Sequence, residues 1–175
     1  MPVIKVLLGL GSNFNRQTHL SAALDALAEV LVDMRCSPVF ESEAVGYSGE
    51  NFFNLVVKGQ THLSLKQLKS FLKNLEDKNG RMRSDKRSIS LDVDILTFAQ
   101  LTGIHEDLAL PRAEILTNAF VLWPLALVAP EDVHPVLNRS YEQLWRDAAI
   151  TQNLWPVAFS WGEQALTPEN LLSKI

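Results

Sequence analysis

Two carboxylates interrupt an apolar run in Leu91-Asp92-Val93-Asp94-Ile95-Leu96. That pattern constrains the fold, because it describes a β-strand with one polar and one apolar face. Side chains alternate across a strand, so Asp92 and Asp94 share a face while Leu91, Val93 and Ile95 take the other. Two like charges side by side on a partly buried sheet face repel each other and resist desolvation. A bound cation relieves both costs. Mg2+ suits the pair, since it takes one or two carboxylates and completes its shell with water and substrate phosphates. Just upstream lie Lys78, Arg81, Arg83, Lys86 and Arg87. A carboxylate pair beside a basic loop supplies both halves of a phosphoryl-transfer site. The same residues also read as a solvated sheet edge with an exposed loop balancing its charge.

The rest of the chain gives this strand its company. Residues 3–10 are apolar and β-branched and run into Gly9-Leu10-Gly11-Ser12-Asn13, a buried strand ending in a turn. No Gly-Lys-Ser/Thr follows, so this is no Walker loop. The glycines instead let the backbone approach a ligand or a neighbouring strand. Helical spacing of Leu20, Ala23, Leu24, Leu27, Val30 and Leu31 predicts a helix over 18–32. Residues 36–44 read as a second strand, 45–51 as a loop and 52–61 as a third strand. Ser64 and Gln67 form a capping box for a helix that stops at Asn79-Gly80. The resulting order, β-α-β-β-α-β, is the ferredoxin-like split motif of an α+β fold. Residues 117–130 are strongly apolar and should cross the core, and 141–149 should be a short amphipathic helix. Residues 1–150 are expected as one domain. Residues 151–175 are expected as an irregular tail packed on it, with a last short helix near 169–175.

Composition narrows the partners. The chain has 175 residues and a net charge of -4, which argues against a general nucleic-acid binder. Against that acidic background the local basic cluster suits a small polyanion. Cys36 is the single cysteine, which excludes a disulfide framework and a cysteine-based zinc site. His19, His62, His105 and His134 are scattered without metal-ligand spacing. The sequence starts directly on a strand pattern, and no stretch approaches the roughly 20 apolar residues of a membrane span. A cytoplasmic protein is expected, working as a monomer or weak homodimer on small molecules, with no nucleic acid and no membrane.

Several segments then converge. Gly11-Ser12-Asn13, Phe52-Phe53-Asn54, Glu76 with Gly80-Arg81-Met82-Arg83, the Asp92/Asp94 run and Phe120-Val121-Leu122-Trp123-Pro124-Leu125 occur in a fixed order. In that order the chain resembles the 6-hydroxymethyl-7,8-dihydropterin pyrophosphokinases of folate biosynthesis, over about residues 3–131. The resemblance implies a ferredoxin-like α/β/α sandwich. It also implies transfer of the pyrophosphoryl group of ATP to the pterin hydroxymethyl group, giving AMP. Two Mg2+ ions would be held by Asp92 and Asp94, with Arg81 and Arg83 as catalytic cations. Glu76, Arg81, Arg83, Arg87, Ile95 and Arg112 would bind the nucleotide. Asn54, Phe52, Phe120 and backbone groups of Ser42 and Val45 would bind the pterin. Without the resemblance, Phe52, Phe53 and Phe120 read as core packing.

The sequence departs from the family pattern mainly on the nucleotide side. Ile89 stands where the signature carries an Arg, Arg112 where a His is usual, and Asn118 replaces a cation. Asp107 sits where some members carry a cation, and Glu43 takes the place of a proline in the pterin loop. The loop between Gly80 and Asp92 is about two residues shorter than usual. These changes leave open a second reading, a paralogue that binds pterin or nucleotide without efficient turnover. An RNA-binding ferredoxin-like module would need exposed sheet aromatics and a basic face, and the acidic composition speaks against it.

Overall fold

The computed structural model describes residues 2–44, 49–85 and 87–172. The first strand, β1 (Ile4–Ser12), alternates Val6, Leu8 and Leu10 with Leu7, Gly9 and Gly11. The first set packs against α1 (Arg16–Val30) and α2 (Leu65–Lys78), in a core with Leu20, Leu24, Leu27, Leu68 and Leu72. Leu7 faces the other way. It joins Ile115, Leu122, Leu125 and Tyr141, carried by α3 (Glu114–Thr117), α4 (Ala119–Val128) and α5 (Tyr141–Arg146). The sheet is buried on both faces, which gives the expected α/β/α sandwich.

Within the sheet, β1 lies between β4 (Phe52–Thr61) and β5 (Asp92–Phe98), antiparallel to both. On the far side of β4 come β2 (Val32–Cys36) and β3 (Val39–Ser42). The order is β5-β1-β4-β3, extended by β8 (Leu154–Val157) at the edge. Two small hairpins complete the strands, β6 (Gly103–His105) with β7 (Leu108–Leu110), and β9 (Ser160–Trp161) with β10 (Gln164–Ala165). A short α6 (Glu169–Leu172) follows. The capping box of α2 forms as read: Gln67 N–H donates to Ser64 Oγ at 3.1 Å and Ser64 N–H to Gln67 Oε1 at 2.9 Å.

Two expectations change. The strand expected over 36–44 is shorter, β3 at Val39–Ser42, and a further strand, β2, precedes it from Val32, the first helix ending at Val30. The break falls at Ser37-Pro38, because proline has no N–H to give to the ladder. Ser37 bridges the gap: its N–H donates to the Val56 carbonyl and its Oγ accepts the Val56 N–H, both at 2.8 Å. The tail is more regular than expected, since β8 pairs with β3 from Val39–Val157 to Ser42–Leu154. Pro156 argues against a strand in the sequence, but at a sheet edge a missing N–H is tolerated. Further on, Thr167 Oγ1 accepts the Val39 N–H at 3.0 Å, and Trp161 Nε1 donates to Asp25 Oδ1 at 2.8 Å.

Candidate active site

Strand register converts the alternation into rows on one face of the sheet. Asp92 lies across from Gly11, Gly11 from Asn54, and Asn54 from Phe40. The adjacent row runs from Asp94 through Gly9 to Val56, and Ser42 lies across from Phe52. These residues share the face that carries Leu7 and Leu96, beside α4. A cavity of about 300 Å³ opens there. Its floor is the glycine pair: a Cβ on Gly11 would come within 3.3 Å of Asn54 Oδ1 and 3.6 Å of the Phe52 ring. Phe52 and Phe120 contribute aromatic wall, the latter from the start of α4. Asn54 is 6% exposed, and its Nδ2 donates to Ser42 Oγ at 2.7 Å.

The charged end of the cavity is an alternation of carboxylates and guanidiniums. Arg81 Nη1 lies 3.3 Å from Asp92 Oδ1 and Arg112 Nη2 lies 3.4 Å from Asp94 Oδ1. Arg81 also donates to the Leu91 carbonyl at 2.9 Å, while Arg112 Nε sits 3.3 Å from Glu114 Oε2. Neither Nε–H makes an aligned hydrogen bond, although both are buried. Glu76 reaches across from α2 to the sheet edge. Its Oε2 accepts the Val93 N–H at 2.8 Å, and its Oε1 pairs with Arg83 at 2.9 Å. Burial raises the Glu76 carboxyl above the usual carboxylate range, against the pull of the Val93 N–H and Arg83.

A second cleft, of about 440 Å³, lies on the other side of the same strand. Asp92, Asp94 and Arg112 belong to both clefts. The second one adds Lys69, Lys73 and Arg83 as cations, with Leu72, Ile95 and Leu108 as apolar surface. Lys69 and Lys73 are one turn apart on α2 and carry no sequence signal beyond an ordinary solvated helix face. The loop between α2 and β5 is pinned to the end of β1 by Asn13. Its Nδ2 donates to the Arg87 carbonyl at 2.7 Å, its Oδ1 accepts the Ile89 N–H at 2.6 Å, and its N–H donates to the Ile89 carbonyl at 2.9 Å.

Most residues singled out from the sequence meet here. Ser42, Phe52, Asn54, Phe120, Asp92, Asp94 and Arg112 line the first cavity, and Glu76, Arg83, Ile95 and Arg112 line the second cleft. Arg81 pairs with Asp92 and Glu76. Arg87 lines neither cleft: its side chain is exposed, and its carbonyl accepts from Asn13. Val45 and Lys86 fall outside the described residues. Sequence reasoning missed Lys69 and Lys73, and it missed Glu114 as cavity lining.

The carboxylate pair fits a hard divalent cation. Among the described residues no group of three His, Cys, Asp or Glu forms a ready cage. Mg2+ needs only one or two carboxylates where phosphates and water fill the rest. Burial, and then the neighbouring Asp92 charge, push the Asp94 carboxyl up to about 7 against the opposing pull of Arg112. Such a group favours folding at low pH, and that contribution fades as pH rises from the ordinary aspartate range through about 7. A displacement of this size would correspond to about 4 kcal/mol in a dry site. Asp94 is 36% exposed, and solvent screening brings the expectation to about 1–2 kcal/mol. Urea unfolding of metal-free protein between pH 4 and pH 8 should show this decline, and Asp94→Asn should flatten it. An unchanged slope in the variant would remove Asp94 as its source.

Comparison with known proteins places this geometry. The family profile described as 7,8-dihydro-6-hydroxymethylpterin-pyrophosphokinase (HPPK) matches residues 7–130. The chain is 30% identical over 141 residues to the 2-amino-4-hydroxy-6-hydroxymethyldihydropteridine pyrophosphokinase of Aquifex aeolicus, covering 79% of this chain and 88% of that protein. The Synechocystis sp. protein of the same name is 31% identical over 156 residues, covering 87% of this chain and 80% of its own length. The crystal structure of wild-type Plasmodium falciparum HPPK-DHPS superposes with a TM-score of 0.68 at 14% identity, over 90% of this chain and 48% of that one. This chain therefore spans about half of that longer protein, and the likeness is one of fold. With the profile running from β1 to the end of α4 and two relatives matched over most of their length, the chain belongs to the 7,8-dihydro-6-hydroxymethylpterin-pyrophosphokinase family.

Proposed function

We propose that the protein transfers the pyrophosphoryl group of ATP to the hydroxymethyl group of 6-hydroxymethyl-7,8-dihydropterin in folate biosynthesis, releasing AMP. One observation carries this: Asp92 and Asp94 stand at the junction of two clefts, one aromatic and amide-lined, the other cationic. The first suits a flat heterocycle, the second a nucleotide triphosphate, and the carboxylates lie where the two substrates would meet. We place the reaction in the cytoplasm; among the described residues no helix is long and apolar enough to cross a membrane.

Asp92 and Asp94 would hold two Mg2+ ions. When bound, these neutralise phosphate oxygens and lower the pKa of the attacking hydroxyl. The remaining work belongs to the side chains. Phe120 and Phe52 stack on the pterin ring, and Asn54 offers a donor and an acceptor to its polar edge. Ser42, already bonded to Asn54, fixes that carboxamide. Backbone groups of Ser42 and Val45 would meet the rest of the edge. Arg81, Arg83 and Arg112 carry forked donors toward the phosphates, with Glu76 and Ile95 shaping the nucleotide side. Lys69 and Lys73 add positive charge on the same side. The hydroxyl oxygen bonds to the β-phosphorus as the oxygen bridging to the α-phosphorus leaves with AMP, and the hydroxyl proton passes to water. No side chain in this scheme is a strong base, so positioning and electrostatics supply most of the rate.

The second reading, weak turnover on an intact pocket, draws on Ile89 and Asn118, two uncharged side chains lining the first cavity. One assay decides between them: AMP formation from ATP and Mg2+ by purified protein, with and without the hydroxymethyl pterin. Pterin-dependent AMP release is the expected result. Pterin binding without AMP release would favour the second reading, and neither would overturn both.

A further inference from the structure

The last segment of the chain reaches back to the cavity through one residue. Ala119 N–H donates to Gln152 Oε1 at 2.7 Å, and Gln152 Nε2 donates to Asn118 Oδ1 at 3.3 Å. Asn118 is the N-cap of α4, yet its own side chain makes no capping bond. Gln152 caps the helix in its place. These two contacts determine which way both amides face. A backbone N–H can only donate, so Gln152 must present its oxygen to Ala119. Its NH2 group is then left for Asn118, which must answer with oxygen. What remains is the Asn118 NH2, on a residue that lines the cavity with Phe120 and Asp94.

We propose that Gln152 is a positioning residue of the active site. It locks the Asn118 carboxamide with its NH2 toward the cavity, as a neutral donor to an acceptor atom of the bound substrate. That acceptor is either a polar atom of the pterin or an oxygen of the transferring group. The proposal rests on the pyrophosphokinase reading of the site. Gln152 lies outside residues 7–130, which match the family profile, so the device belongs to this chain's last segment.

Gln152→Glu separates positioning from capping. It keeps an acceptor for the Ala119 N–H but sets a second oxygen against Asn118. The Asn118 amide must then turn over and present oxygen to the cavity. A lost donor replaced by an opposed acceptor should weaken substrate use about 10–100-fold. Asn118→Ala should lose about 10-fold, and the double variant no more than Gln152→Glu, because both act on one contact. A rise in KM for the pterin identifies a pterin acceptor, and a fall in kcat identifies the transferring group. Wild-type kinetics in Gln152→Glu, or losses that multiply in the double variant, would overturn the proposal. A change in unfolding midpoint alone would reduce Gln152 to a cap and overturn it as well. If the wild-type protein neither binds the pterin nor forms AMP, it is the underlying reading that fails.

Discussion

Asp94→Ala should abolish Mg2+-dependent nucleotide binding and lower pterin-dependent AMP formation by at least about 10³-fold, while leaving the fold intact. The magnitude follows from the several kcal/mol that metal-ion charge stabilisation supplies to phosphoryl transfer, at about 1.4 kcal/mol per factor of ten. The fold should survive because Asp94 gives it little. Its carboxyl is raised to about 7 by burial and by Asp92, so its charge is unwelcome in the metal-free protein. Its partner Arg112 keeps Glu114 at 3.3 Å. Calorimetric titration with a non-hydrolysable ATP analogue, with and without Mg2+, reads the binding directly, and circular dichroism reads the fold. Nucleotide binding that survives the change unaltered would show that the carboxylate pair is not the metal site.

How far this site could be read in the sequence depends on the range of the interactions that build it. The helix α2 was legible because its signals are local, a capping box at Ser64 and a stop at Asn79-Gly80. The strand β5 was legible because alternation of period 2 needs no partner to be seen. Pairings between distant segments left no such trace. Nothing near Leu154-Trp155-Pro156-Val157 announces that it will pair with β3, and Pro156 points the other way. Lys69 and Lys73 look like any solvated helix face until β5 is set beside them. Arg87 is the converse case: its place in the basic run suggested phosphate contact, whereas three hydrogen bonds with Asn13 hold its carbonyl and the Ile89 backbone, and its exposed side chain lines neither cleft. The amide pair of Asn118 and Gln152 could not be found without coordinates, because its logic lies in which atom of each amide is already committed.

Asn54→Leu should raise the KM for the pterin by about 100–1000-fold with a smaller effect on the KM for ATP. The substitution preserves approximate volume and removes both hydrogen-bonding functions. Asn54 is almost fully buried, so water cannot replace them. Ser42 Oγ would lose the 2.7 Å bond from Asn54 Nδ2, and the pterin edge would meet a hydrocarbon. The Ser42 loss is common to free and bound protein; a donor and an acceptor of the pterin edge left unpaired on binding, at about 1–3 kcal/mol each, account for the expected range. The row Asp92–Gly11–Asn54 places the amide two strands from the carboxylates, so nucleotide and metal contacts should be little disturbed. Ser42→Ala separates the parts: it removes the support of the carboxamide but not the carboxamide itself, and should cost about tenfold or less. Steady-state kinetics with each substrate varied in turn would test both variants. A leucine variant with unchanged KM for the pterin would mean that the heterocycle does not lie against β4, and that Phe52 and Phe120 are core aromatics after all.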